Sequence, residues 1–347
     1  MKFYSTNNKI SRVSFREAAM KGLPNDNGLY MPEYIPDCKS LIKGIEKLSI
    51  QDISFIISRK FMIEDFSSSE IEQIIDSSIT FSAPAIKVGA NFILELFHGP
   101  TLAFKDFGAS FMARTFEKIV ENNNKNLNIL VATSGDTGSA VANGFYKVDG
   151  INVIILYPRN KVSKIQEQQI STLDENIFSL EVDGTFDDCQ KLVKQAFLNE
   201  KINSKISLSS ANSINISRLI PQTFYYFYAY SQLAQDSPVI FSVPSGNFGN
   251  LTAGVFSKFM GLPVRKFVAS TNANDTVPRY METGLYSPKP SVETISNAMD
   301  VGNPSNIKRI LDLYEKIDFL KKDMLSWSYN DKDTLKAIKR ILKEYQY

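Results

Sequence analysis

The chain reads as an α/β protein built on parallel sheets, and three observations carry that expectation. From about residue 83, strand-like and helix-like runs alternate. The loops richest in Gly, Ser and Asn fall where a strand gives way to a helix, which is where sites of such folds lie. A length of 347 residues is enough for two domains, and no internal repeat or low-complexity tract competes with that reading.

Taken in order, residues 1–80 read as short helices around turns. Periodic apolar residues (Val13, Phe15, Ala18, Ala19; Ile53, Ile56, Ile57; Ile71, Ile74, Ile75) are interrupted by Gly22-Leu23-Pro24, Pro32 and Pro36. Phe92–Phe97 reads as a strand, and the run after Lys105 as a helix with Phe107, Phe111, Phe116 and Val120 on its apolar side. Asn128–Ala132 is a strand whose following turn opens a helix through Phe145. Asn152–Leu156 and Phe178–Val182 are strands, each followed by a helix, at about 162–172 and 187–198. Val239–Val243 leads through a glycine-rich turn into a helix ending at Met260, and Val264–Ser270 is a further strand. The run 335–347 patterns as an amphipathic helix.

The composition excludes several functions. Basic and acidic residues nearly balance, 39 against 37, without long blocks, so neither nucleic acid nor an anionic membrane is called for. No run approaches the ~20 apolar residues of a membrane span, and the first residues hold no signal-peptide core, so a cytoplasmic enzyme is expected. Cys38 and Cys189 are isolated and fit no metal spacing, which points to reduced packing residues. The single histidine, His98, has no G-x-S-x-G partner and cannot build a histidine-rich metal site. Proton chemistry would fall to a lysine, a carboxylate or a cofactor.

Four segments carry chemistry. In Phe97-His-Gly-Pro-Thr-Leu-Ala-Phe-Lys-Asp-Phe107, Lys105 stands where a Gly-Pro turn meets a helix start, with Asp106 as the expected N-cap. Such a lysine is either a surface residue at a loop end or a desolvated amine poised for Schiff-base chemistry. Ser134-Gly-Asp-Thr-Gly-Ser139 and Gly246-Asn-Phe-Gly-Asn250 each place backbone N–H groups and a helix start around an anion, or serve only tight packing. Neither is a nucleotide P-loop or a dinucleotide turn. Ser210-Ala-Asn-Ser-Ile-Asn-Ile-Ser-Arg218 clusters small donors ahead of an arginine, as a phosphate site or as a capped helix start.

FHGPTLAFKDF, TSGDTG, SANSINISRL, VPSGNFGNLTAG and NDTVPR, in this order, resemble threonine synthase, a pyridoxal-phosphate family of the tryptophan-synthase-β fold type. The resemblance extends to the start of the chain, through KFYST and VSFREA. It implies a two-domain parallel-sheet fold with an amino-terminal subdomain at 1–82 and a catalytic region at 83–347, a small domain at roughly 107–205 being inserted in the large one. It implies pyridoxal 5′-phosphate as cofactor, with Lys105 as Schiff-base lysine and general base, and Gly246, Asn247, Phe248, Gly249 and Asn250 as its phosphate loop. Ser134, Asp136 and Thr137 would be the substrate-binding residues of the loop that holds the substrate carboxylate and faces the cofactor's phenolic oxygen, and Asn212, Ser213 and Arg218 would grip the phosphate of O-phosphohomoserine. Many relatives carry asparagine where Asp136 stands.

The activity implied is a lyase step of threonine and amino-acid biosynthesis, converting O-phosphohomoserine and water to threonine and phosphate. The rivals are a phospho-lyase yielding a keto acid, a dehydratase of unphosphorylated serine or threonine, and a non-catalytic binding protein. Monomer and homodimer stay open. The family continues several dozen residues beyond the position of Tyr347, with a hydroxyl residue for the pyridine nitrogen in that segment. A large domain shortened at the carboxyl end, less stable and less active, is therefore expected, unless a serine or threonine near 291–306 meets the ring nitrogen.

Overall fold

The computed structural model describes residues 1–121, 126–133, 135–233 and 237–346; Ser134 and Tyr347 lie outside the described residues. Its strands in chain order are β1 (Lys2–Ser5), β2 (Asn8–Ser14), β3 (Tyr30–Pro32), β4 (Ala85–Val88), β5 (Asn91–Leu94), β6 (Leu127–Ala132), β7 (Ile151–Pro158), β8 (Ile177–Val182), β9 (Ser207–Ser210), β10 (Val239–Pro244), β11 (Val264–Thr271) and β12 (Met324–Ser328). They fall in two compact units. The first holds Met1–Tyr34, Ser49–Ala83 and Leu96–Phe224; the second holds Ile35–Leu48, Pro84–Glu95 and Tyr225–Tyr347.

The first unit is built on a four-stranded parallel sheet in the order β8-β7-β6-β9. Ile129, Val131, Val153 and Ile155 fill one face of β6 and β7 and are fully buried. On the other face Leu130, Ala132, Ile154 and Leu156 pack under Cys189 and Val193 of the helix Phe186–Leu198. Both faces are therefore covered, which is why these strands read as nearly continuous apolar runs. Thr185 and Asp188 form a capping box that starts this helix.

The same unit opens with an antiparallel sheet, β2-β1-β3, where turns and helices alone were expected. The strand β2 has no buried face, Ile10 being 92% exposed, so it carries no apolar alternation. The helices Ile50–Met62 and Ser68–Ser78 are closed at their starts by capping boxes, Ser49 with Asp52 and Ser67 with Glu70. The helix Lys105–Glu121 buries Phe107, Phe111, Phe116 and Val120, with edge-on ring contacts to Phe81, Phe224 and Phe145. Arg218 lies in the short helix Ile216–Leu219, and Pro221 separates it from the next helix, Gln222–Ser231.

The second unit holds a three-stranded parallel sheet, β10-β11-β12, with β11 central. Phe267 and Ala269 of β11 are fully buried, and Phe241 stacks on Phe267. The strand expected at Phe92–Phe97 ends at Leu94 and pairs with β4 in an exposed antiparallel hairpin, outside the parallel sheets. The last helix, Asp331–Tyr345, begins at the cap Asn330 and buries none of its residues. Cys38 and Cys189 are buried and free. Among the described residues no helix is long and apolar enough to cross a membrane.

Asn215 ties the segment before Arg218 into the first unit. Its Nδ2 donates to Ala19 O (2.8 Å) and Ser210 O (3.1 Å), while its Oδ1 accepts from Ser217 N and Ser217 Oγ. Replacing it by alanine removes a cap and two buried bonds at once. Asn215→Ala is expected to lower stability by roughly 2–4 kcal/mol, read by urea denaturation. A loss under ~0.5 kcal/mol would show that water replaces the amide there.

Candidate active site

Lys105 is the first residue of its helix, and the turn before it is held by the residue after it. Asp106 is 1% exposed; its carboxylate accepts from Thr101 N (3.0 Å) and Thr101 Oγ1 (2.5 Å). The expected N-cap role is thus not met. Asp106 already lies within the helix, its own N–H bonded to Ala103 O, and its carboxylate reaches back into the turn. That turn carries Leu102 in the left-handed region (φ 59°), a conformation costing about 1–2 kcal/mol for a residue with a Cβ. Gly99 admits no side chain, since a Cβ there would stand 2.7 Å from Asp106 Cβ. Burial raises the Asp106 carboxyl above its ordinary value, against the opposing Thr101 bonds.

The Lys105 amine is 3.1 Å from Asp136 Oδ2 and lies over the Phe104 ring, 4.8 Å from its centroid. Burial pulls this amine below the usual lysine value; the charge and hydrogen bond of Asp136 oppose the shift, and the Arg218 charge adds to it. Burial alone would raise the Asp136 carboxyl, but the Lys105 charge and the bond from Gln166 outweigh it and leave it lowered. Gln166 Nε2 donates to Asp136 Oδ1 at 2.6 Å while its Oε1 accepts from Ser163, completing a capping box. Asp136 therefore stays ionised beside an amine tipped toward its neutral form, which is the nucleophilic form.

Asp136 opens the helix Asp136–Phe145, and Thr137, half-buried, follows it. Thr133 builds the turn ahead of them: its Oγ1 accepts from Gly135 N and Gly138 N at the carboxyl end of β6. Ser134 lies outside the described residues.

Arg218 is 3% exposed. Its Nη1 donates to Ala211 O at 2.7 Å, whereas its Nε is buried without a partner. Burial lowers its pKa to about 10, with Asp106 opposing, so the guanidinium stays charged at neutral pH. Gly108 lets the helix Lys105–Glu121 come this close, since a Cβ there would lie 2.9 Å from Arg218 O. Asn212 and Ser213 are half-buried in the same loop, and Asn212 O accepts from Asn215 N. Lys105, Asp106, Asp136 and Arg218 thus form one electrostatic group in the first unit.

Gly246, Asn247, Phe248, Gly249 and Asn250 follow β10 in the second unit. Phe248 is left-handed (φ 60°), and the helix Gly249–Phe259 starts from it. The first N–H groups of such a helix suit an anion. Taken separately, the desolvated amine of the first unit suits a carbonyl group, and the amide-rich loop of the second unit suits a phosphate. Residue reading alone missed Gln166 and the true role of Asp106. Ser163-x-x-Gln166 is legible as a capping box, but its reach to a residue thirty positions earlier is set by the fold.

The family described as pyridoxal-phosphate dependent enzyme matches residues 81–346, and that described as threonine synthase N terminus matches residues 2–79. Threonine synthase of Escherichia coli K12 is 44% identical over 351 residues, covering 100% of this chain and 81% of that protein. The crystal structure of the Escherichia coli threonine synthase superposes with a TM-score of 0.93 at 43% identity, covering 100% of this chain and 81% of the other. A pyridoxal-phosphate-bound threonine synthase from Brucella melitensis gives a TM-score of 0.94 at 32% identity, over 100% of this chain and 82% of the other.

The charge of Asp136 holds the Lys105 pKa up, so removing it should let the neutral amine appear at lower pH. In Asp136→Asn, the pH midpoint for capture of pyridoxal phosphate by the stripped protein is expected to move down. Stopped-flow absorbance across a pH series checks this. An upward or absent shift would show that Asp136 does not act on Lys105 through its charge.

Proposed function

Since the chain belongs to the threonine synthase family and makes threonine with pyridoxal phosphate, we propose that its substrate is O-phosphohomoserine and its second product phosphate. The observation that carries this reading is Arg218. The buried Arg218 guanidinium has an Nε without a hydrogen-bond partner among the described residues, and a doubly charged phosphate suits such a donor. A dehydratase acting on unphosphorylated amino acids has no use for it. Neither that reading, nor a keto-acid-forming phospho-lyase, nor a non-catalytic binder is favoured, because relatives aligned over the whole chain are threonine synthases.

Lys105 would hold the cofactor through its amine, and Gly246, Asn247, Phe248, Gly249 and Asn250 would hold its phosphate. When bound, pyridoxal phosphate supplies an electron sink for charge developing on the substrate carbons. The residues of the chain do the rest. Lys105 would be the base that moves protons at the α and β carbons, and burial favours its neutral, proton-accepting form. Asp136, 3.1 Å away, receives its positive form once a proton has been taken. Arg218, with Asn212 and Ser213, binds the substrate phosphate and stabilises it as it leaves the γ carbon. The two protons taken from the α and β carbons return to the γ and α carbons, while water gives its hydroxyl to the β carbon and its other proton to the departing phosphate. Ser134 and Thr137 would serve the substrate carboxylate, while Asp136 of the same loop keeps its charge on Lys105.

The functional division we adopt is an amino-terminal subdomain at 1–82 and a catalytic region at 83–347, with roughly 107–205 as a small domain. The change of family match near residue 80 supports its first boundary. The cytoplasm is the compartment this reading favours.

Two variants test the assignment. Lys105→Ala should abolish the visible absorbance of the lysine-linked cofactor and turnover together; a borohydride-trapped cofactor on any other lysine would refute the role. Arg218→Ala should weaken use of O-phosphohomoserine by about thirtyfold or more, the loss of a buried charge-assisted partner being roughly 2–5 kcal/mol. Homoserine binding should hardly change. Equal losses for both ligands would make Arg218 a structural residue.

A further inference from the structure

Asn247 is fastened from outside its own loop. Its Oδ1 accepts from Ser305 N at 2.6 Å. Its carbonyl accepts from Asn306 Nδ2 at 3.1 Å and from Asn306 N at 3.4 Å. Asn306 is in turn fixed by Arg309, whose Nη1 donates to Asn306 Oδ1 at 2.6 Å. Asn306 and Arg309 are both fully buried. An arginine can only donate, so it dictates the orientation of the Asn306 amide: oxygen toward Arg309, nitrogen free to donate to Asn247. Burial lowers the Arg309 pKa only to about 9, so the charge that orients the amide persists at neutral pH.

The consequence falls on the loop. Phe248, next to Asn247, holds a left-handed conformation, with its carbonyl accepting from Thr252 Oγ1 at 2.7 Å. Gly246 lies so close to the backbone of Met299 that a Cβ would stand 2.8 Å from Met299 Cα. Segments 298–299 and 305–306 therefore press the loop from one side and tie it from another. Its amides keep one arrangement before any ligand arrives, which is what binding without an ordering cost requires.

We propose that Asn306 and Arg309 are positioning residues for the loop Gly246–Asn250, and that by fixing Asn247 they set how tightly this loop holds a phosphate. The proposal rests on the reading above that the loop carries the cofactor's phosphate, and its test separates the two. Pyridoxal 5′-phosphate and pyridoxal, which lacks the phosphate, are titrated by equilibrium dialysis into the full-length chain stripped of cofactor. The variants are Asn306→Asp, Arg309→Met, Arg309→Lys and Gly246→Ala, each with its melting temperature measured.

Asn306→Asp loses the donor to Asn247 while keeping an acceptor for Arg309, and the carboxylate charge it adds is paired by the Arg309 guanidinium. It should melt like the parent yet bind pyridoxal phosphate about tenfold more weakly or worse, with pyridoxal changed less than about twofold. Arg309→Met should follow the same pattern, and Arg309→Lys should recover part of the loss. If Gly246→Ala loses pyridoxal phosphate selectively while Asn306→Asp and Arg309→Met bind it like the parent, the loop reading stands and the clamp is refuted. If Gly246→Ala leaves pyridoxal phosphate affinity unchanged, the loop reading falls and the clamp falls with it. Equal losses for both ligands in Asn306→Asp and Arg309→Met would reduce the pair to a structural role and overturn the proposal.

Discussion

The burial of the Lys105 amine against the carboxylate of Asp136 is the interaction around which the first unit is arranged. Removing an ammonium from water favours the neutral amine, while a carboxylate 3.1 Å away favours the charge. Either influence alone would spoil the chemistry. Full desolvation without a partner would leave nothing to receive the positive form, and an exposed ion pair would keep the amine protonated. Gln166 adjusts the balance by taking a share of the Asp136 charge, and Arg218 adjusts it by adding a second buried cation. The sheet, the covered helices and the Phe-lined packing of Lys105–Glu121 serve to hold these few charges out of water and in register.

The two candidate loops meet a common difficulty in a common way. Each holds one residue other than glycine in the left-handed region, Leu102 ahead of Lys105 and Phe248 ahead of the helix Gly249–Phe259. Such a conformation persists only where the surroundings over-determine it. Around Leu102 the restraint comes from the Asp106 carboxylate, bonded twice to Thr101. Around Phe248 it comes from Thr252 and from the bonds to Asn247. In both places the strain is local and the restraint is supplied by a side chain outside the strained residue.

Much of this was legible in the residues, and the exceptions share a cause. β6 and β7 were visible because both of their faces are apolar, β8, β10 and β11 because β-branched and aromatic residues recur in short runs, and the loops after β6 and β10 because Gly, Ser and Asn cluster there. β2 left no trace because it has no buried side, and β9, Ser-Leu-Ser-Ser, has the composition of a loop. β9 is a strand because β6 offers it an edge to pair with. Lys105 and Arg218 stood out through motif and charge. Asp106 was visible but misread, since an acidic residue at a helix start is ordinarily a cap and nothing local reveals that it turns back to Thr101. Gln166 is legible only as half of a capping box, and Asn306 and Arg309 have no signature at all. They matter through distance in space, and spacing along the chain cannot express that.

Gly99, Gly108 and Gly246 press against Asp106, Arg218 and Met299 with no space for even a methyl group. A saturation survey of this chain would rank all three among its least replaceable positions, although a hydrogen atom takes no part in any bond-making step. Sensitivity to change and participation in chemistry are then two different maps of the same molecule. Laid over each other, they mark the glycines as the places where the clearance around a backbone, measured in tenths of an ångström, decides whether each loop keeps its form.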